Sequence, residues 1–210
     1  PKNLIVPHDT FHQPLSAIEN ESLTIRYDLS MGRLAMEEVR KDSLTNNIVI
    51  PWRTRDSKSQ TYHVIGWVEK GVNAGLTTKE SHLNGQGVEM ANRLYWPHYR
   101  YSHGKVILVE DAFSAMRITD AAAELNRHIR GVALLGSKFH NTADPIALRQ
   151  HTSHVMVVLD PDMWPQGHIK AQRVLRAQGV NAHATVLSAD PKDVESEELE
   201  KLIIEFDGIV

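Results

Sequence analysis

Two apolar, β-branched runs break off abruptly at carboxylates, and no other feature of the chain restricts its fold as tightly. Val106-Ile107-Leu108-Val109 ends at Glu110, and Val155-Met156-Val157-Val158-Leu159 ends at Asp160 and, past Pro161, Asp162. Runs without polar alternation suit strands buried on both faces of a parallel sheet. In such sheets ligands bind just beyond the carboxyl ends of the strands. The acids are therefore expected at one sheet edge. Residues two apart in an extended segment project to the same side, so Asp160 and Asp162 are expected to converge on one ion. Such an oxygen-rich pocket suits a hard divalent cation such as Mg²⁺.

The flanking sequence supports a parallel sheet. After about Gly104, strand and helix patterns take turns. Strands are expected over 106–109, 131–135, 155–159 and 182–187, with helices over 112–126, 144–150, 166–178 and 196–206. That alternation implies right-handed crossovers and a mostly parallel α/β sheet. Before Gly104 the pattern is shorter and richer in Asn, Thr, Ser and His. Residues 47–52 and 62–68 read as a β-hairpin with a long polar turn, residues 31–41 as a helix weakened by Gly32, and residues 73–86 as a surface loop. The fold class is thus α/β: a mixed α+β subdomain over 1–103, then a mostly parallel α/β domain over 104–210.

Composition narrows the function classes. The formal net charge is −3, so any nucleic-acid surface must be a local basic patch. Cysteine is absent, which excludes disulfides and thiolate zinc sites and is compatible with a reducing cytoplasm. No stretch has the length of a membrane span or the form of a signal peptide. Pro1 in place of Met leads one to expect an excised fragment or a processed chain. The twelve histidines are scattered and form no His-Glu-x-x-His helix. P-loop, dinucleotide and Gly-x-Ser-x-Gly signatures are missing, which disfavours an ATPase, a dehydrogenase and a serine hydrolase.

A third acidic turn, Asp190-Pro191-Lys192-Asp193, follows the last expected strand at the same edge. Taken singly, these acids could be turn residues or helix N-caps, as Asp111 is expected to be. Taken together, they repel one another unless a cation neutralises them. Glu110, Asp160, Asp162 and Asp193 are therefore the expected metal ligands.

The sequence resembles the TOPRIM domain, shared by bacterial-type DNA primases, topoisomerases and several nucleases. Its pattern is a strand ending in Glu, usually followed by Gly, and a later strand ending in Asp-x-Asp. Glu110 and Asp160-Pro161-Asp162 match both parts in order, with Asp111 standing where Gly is usual. The segment over 47–70 is similar to a primase hairpin, Asn92–Trp96 to a basic-aromatic primase segment, and Leu134–Ser137 and Ala189–Asp193 fit the primase order of turns. The resemblance covers about residues 47–205 and implies the RNA-polymerising core of a bacterial- or phage-type primase, without a zinc-binding module or helicase.

On that resemblance the chain is expected to be a cytoplasmic nucleotidyltransferase that builds short RNA primers on single-stranded DNA. Glu110, Asp160 and Asp162 would be catalytic, with Mg²⁺ or Mn²⁺ as cofactor. Gly136, Ser137 and Lys138 would receive phosphates of the ribonucleoside triphosphates. Arg53, Arg55, Lys58, Lys70, Arg93 and Arg100 would track the template, beside the stacking surfaces of Tyr95, Trp96, Tyr99 and Tyr101. Lys70 stands where the primase pattern carries a basic residue. A replicative helicase is the expected partner. Two rivals are a TOPRIM nuclease using the same acids and a non-catalytic nucleic-acid-binding module.

Overall fold

A computed structural model describes residues 12–43, 46–55, 62–70, 79–83, 94–98 and 104–209. The chain divides into two compact units: residues 1–26 with 31–91, and residues 27–30 with 92–210. Leu94–His98, upstream of the compositional change at Gly104, lies with the second unit.

The first unit is an antiparallel meander. Strands β1 (His12–Pro14), β2 (Arg40–Asp42), β3 (Ile48–Arg55), β4 (Tyr62–Lys70) and β5 (Lys79–Leu83) pair in sequence order, with helices α1 (Ala17–Arg26) and α2 (Arg33–Met36) between β1 and β2. Helix α1 starts at a capping box. The Ser16 hydroxyl accepts from the Glu19 amide at 3.3 Å, and the Glu19 carboxylate accepts from the Ser16 amide at 3.0 Å. The β3–β4 hairpin matches the sequence expectation, with a register shift between Trp52 and Arg53.

Two expectations fail in this unit. The helix expected over 31–41 contracts to α2. The chain turns at Glu38 with φ of 52°, and Arg40 and Lys41 pair with Val49 and Ile48 instead. The loop expected over 73–86 contains β5, which pairs along β4 from Gly66–Leu83 to Lys70–Lys79. In both places strand pairing overrides local composition.

The second unit is the parallel sheet. Strands β6 (Lys105–Val109), β7 (Ile129–Ala133), β8 (His154–Val157) and β9 (Asn181–Ala184) lie in the order β7-β6-β8-β9, all parallel. Helices α3 (Ala112–Glu124), α4 (Ala143–His151), α5 (Gln166–Ala177) and α6 (Ser196–Asp207) alternate with them, as expected. Ile107, Leu108, Val109, Val155, Val157 and Val158 are fully buried, as strands covered on both faces must be.

Helix α3 reaches the sheet because β7 carries Gly131. A Cβ there would lie 2.2 Å from the Ala115 carbonyl oxygen. The Thr119 hydroxyl donates to that carbonyl at 2.7 Å and accepts the Gly131 amide at 3.0 Å, fastening helix to strand. The fourth strand ends at Ala184, earlier than expected, and the chain then runs irregularly toward Asp190. Among the described residues no helix is long and apolar enough to cross a membrane.

Candidate active site

Parallel pairing of the two central strands brings the acids together. Leu108 lies opposite Val157, and the Val158 amide donates to the Leu108 carbonyl at 2.8 Å, so both strands end at the same level. Two residues on, the Asp160 amide points at the Glu110 carboxylate, 3.4 Å away. Oδ1 of Asp160 is buried and has no hydrogen-bond partner. Burial first, then the charges of Glu110 and Asp190, push the Asp160 carboxyl up to about 7. Asp111 has the expected structural role. It caps α3, accepting the amides of Phe113 and Ser114 at 2.9 and 3.2 Å.

Asp162 does not share a face with Asp160 by strand geometry. Pro161–Met163 forms a 3₁₀ turn, closed by the Met163 amide donating to the Asp160 carbonyl at 2.9 Å. Proline fits the first position of such a turn, so the extended path expected through it is not taken, and Asp162 is exposed. Among the described residues no three His, Asp or Glu side chains are grouped so as to hold a metal ion.

What sequence reasoning missed at this edge are two cations. Lys192, in the third acidic turn, is largely buried and ion-pairs with Asp190, with Asp111 at 3.3 Å and with Asp193 at 3.6 Å. Burial alone would lower its ammonium. The carboxylates of Asp111, Asp190 and Asp160 outweigh that and hold it above its ordinary value. Arg117 of α3, 4% exposed, grips the same turn from its backbone side. Its guanidinium donates to the carbonyls of Pro191 at 3.0 Å and Val194 at 2.6 Å, and to Asp28 and the Ser196 hydroxyl at 3.0 Å each. An arginine amid the apolar positions of α3 was the available signal.

The turn after β7 is tied to the same edge. The Gly136 amide donates to the Glu110 carbonyl at 3.2 Å, and a Cβ on Gly136 would meet the His140 ring at 3.7 Å. Ser137 is half-buried and Lys138 exposed. His168 of α5, fully buried, accepts the Leu159 amide at 3.0 Å, and burial lowers its pKa. It therefore fixes the chain one residue before Asp160 as a neutral ring.

The basic residues expected on the template are less fully described. Arg53 and Arg55 sit at the loop end of the hairpin, opposite Val64 and Tyr62, whereas Lys70 is at the other end, opposite Ile48. The nine-residue β4 separates those ends by about 26 Å. Lys58, Arg93, Tyr99, Arg100 and Tyr101 lie outside the described residues. Tyr95 is no stacking platform. It is 2% exposed and bridges to Ala133 through two backbone hydrogen bonds of 2.8 and 2.9 Å. Trp96 packs between Arg130 and His151, at 5.2 and 4.8 Å.

Comparison with solved structures then decides the fold. A DnaG catalytic core superposes with a TM-score of 0.64 at 16% identity, covering 92% of this chain and 74% of its own. The chain has the fold of a TOPRIM-type primase catalytic core. A DnaG primase catalytic domain bound to single-stranded DNA gives 0.62 at 12% identity, covering 88% of this chain and 69% of that one. The primase fragment of the bacteriophage T7 primase-helicase gives 0.59 at 10% identity, with coverages of 95% and 80%. No family model and no curated protein sequence matches the chain. The likeness to primase cores is thus one of fold, at identities where sequence comparison finds nothing.

Proposed function

We propose that this chain is a DNA-dependent RNA primase core, joining ribonucleotides into short primers on single-stranded DNA. The observation that carries the reading is the pair Glu110 and Asp160, side by side at the carboxyl edge of a primase-type parallel sheet.

The donor set fits a hard divalent cation. Asp160 presents a buried carboxylate oxygen with no partner, and its neighbours Glu110 and Asp190 make its ionised form unfavourable until positive charge arrives. Glu110 and Asp160 would hold Mg²⁺, or Mn²⁺ in its place, and Asp162 and Asp193, which are not grouped with them here, would complete the set by turning their side chains toward the ion. Bound there, such ions supply charge neutralisation on the phosphate oxygens during nucleotidyl transfer.

The chain's own residues do the positioning. Glu110 would take the proton of the attacking 3′-hydroxyl or ligate the metal. Ser137 and Lys138 would donate to the triphosphate of the incoming nucleotide. Gly136 contributes by lacking a side chain rather than through its amide, which Glu110 engages. Arg53, Arg55, Lys58, Lys70, Arg93 and Arg100 would follow the template backbone as charged contacts. The reading implies a bacterial cytoplasm and a replicative helicase as partner.

The test is incubation with single-stranded DNA, the four ribonucleoside triphosphates and Mg²⁺ or Mn²⁺. Short RNA products support a primase. Shortened DNA would identify a nuclease, and bound but unaltered DNA a non-catalytic module.

A further inference from the structure

We infer that Lys192 is a built-in counter-ion that competes with a divalent cation for the third acidic turn, and so sets how tightly the metal-free site takes up a bare ion. The inference rests on the primase reading only in taking Asp160 and Asp193 as metal ligands.

The geometry is unusual for a surface lysine. Its side chain is 14% exposed and ion-pairs with Asp190, Asp111 and Asp193. Two of these partners flank it within its own turn, and the third caps α3 from a different part of the chain. Asp111 keeps its role whatever else binds, because the amides of Phe113 and Ser114 and the Ser114 hydroxyl occupy its oxygens. Asp190 and Asp193 have no such commitment among the described hydrogen bonds; Lys192 is what holds their side chains. A cation that recruits Asp193 must take it from the ammonium, and each positive charge weakens the attraction for the other.

Arg117 makes the exchange local. Because it grips the Pro191 and Val194 carbonyls, the turn keeps its backbone while the ammonium is displaced. Lys192 therefore acts on side chains and Arg117 on the main chain of one turn. The first is exchangeable and the second is not.

The experiment uses the full chain and MnCl₂, with binding followed by the electron paramagnetic resonance signal of free Mn²⁺. Melting temperatures with and without MnCl₂ form a second readout. K192M is expected to bind Mn²⁺ about tenfold more tightly than the wild type, since one like charge has left a partly buried site. It should melt lower without metal and recover more on adding it. K192R keeps the charge and should behave as the wild type. K192Q serves should K192M fail to fold.

Equal Mn²⁺ affinity in wild type, K192M and K192Q, with binding lost in D160N, would overturn the counter-ion role and leave the metal site standing. Weaker binding in both neutral variants would also overturn it, making the lysine a support for the site rather than a competitor. If the wild type itself binds no Mn²⁺, the metal-site reading fails first, which separates the two failures.

Discussion

The two sheets of this chain distribute their information differently. In the central strands of the parallel unit, β6 and β8, nearly every position is buried, so a polar residue at a strand end stands out against an apolar run, and Glu110 and Asp160 mark the candidate site. In the antiparallel unit strands such as Arg40–Asp42 and Lys79–Leu83 carry almost no apolar signature and are defined by their partners. Strands covered on both faces declare their burial, whereas strands with an open face or edge need not. The proposed reading puts chemistry on the parallel unit and template contact on much of the hairpin unit, and each half of that proposal can be broken separately.

The largest effect is expected at the acids. Asp160→Asn and Glu110→Gln each remove a carboxylate charge at nearly constant volume and should lower primer synthesis by at least about a thousandfold, as loss of a transition-state electrostatic contact does. Circular dichroism should remain that of the wild type. A folded Asp160→Asn enzyme with full activity would detach chemistry from the parallel sheet.

Next in size is the packing that positions those acids. A side chain at Gly131 has no room, because its Cβ would fall 2.2 Å from a helix carbonyl. Gly131→Val should destabilise the protein by about 3 kcal/mol, in the range of overpacked cores. Gly179 is constrained differently: its φ is positive, +80°, but nothing lies near its Cβ, so Gly179→Ala should cost only about 1 kcal/mol. Urea unfolding of the two variants measures the difference. Equal losses would show that α3 does not depend on this close approach.

These particulars also show what was legible. The central strands β6 and β8 were readable because burial on both faces leaves an unbroken apolar run, whereas β7, with Arg130, and β9, with His183, are marked in the sequence by their alternation with helices. Helix α1 was not, since its only buried residue is Leu23, although Ser16 and Glu19 spelled a capping box that could have announced it. At the site, Glu110 and Asp160 were legible as strand-terminal acids. Asp162 departs from expectation because Pro161, compatible with an extended or a turn geometry, starts a 3₁₀ turn, whereas convergence of the two acids needed the extended one. Lys192 is visible in the sequence but its burial among three carboxylates is not, and Arg117 stands out as an arginine amid apolar positions although its partners at Pro191 and Val194 lie far away in sequence.

A smaller effect follows from Asp160 itself. Its folded-state pKa is raised from 3.8 to about 7 by burial and by Glu110 and Asp190. Its contribution to stability is therefore fully present below about pH 3.8 and lost as pH rises through about 7. The metal-free protein should lose melting temperature between about pH 4 and 7, on the order of 5 °C from this group, and level off above that. Asp160→Asn should remove most of that slope, and MnCl₂ at pH 8 should reduce it in the wild type. A pH slope unchanged in the variant would place the strain elsewhere.

The smallest effect tests the other half of the comparison. If the basic hairpin contacts a DNA backbone, single-strand binding weakens with salt, because each phosphate contact releases condensed counterions. Lys70→Ala should flatten the slope of log affinity against log salt by about 0.7, the value for one lost contact on a single strand. Arg55→Ala should act alike, although it sits at the other end of the hairpin, and the double variant should lose about 1.4, since contacts so far apart add. Neither should change base preference, because backbone contacts carry no sequence information. Asp162→Asn, on the parallel unit, should leave the slope alone. Fluorescence anisotropy of a labelled oligonucleotide across a salt series resolves these differences. A slope that moves with Lys70 but not with Arg55 would confine the template to the Ile48–Lys70–Lys79 end of the sheet, where the β4–β5 register pairs two lysines across adjacent strands. A slope that moves with neither would take the template off the hairpin altogether.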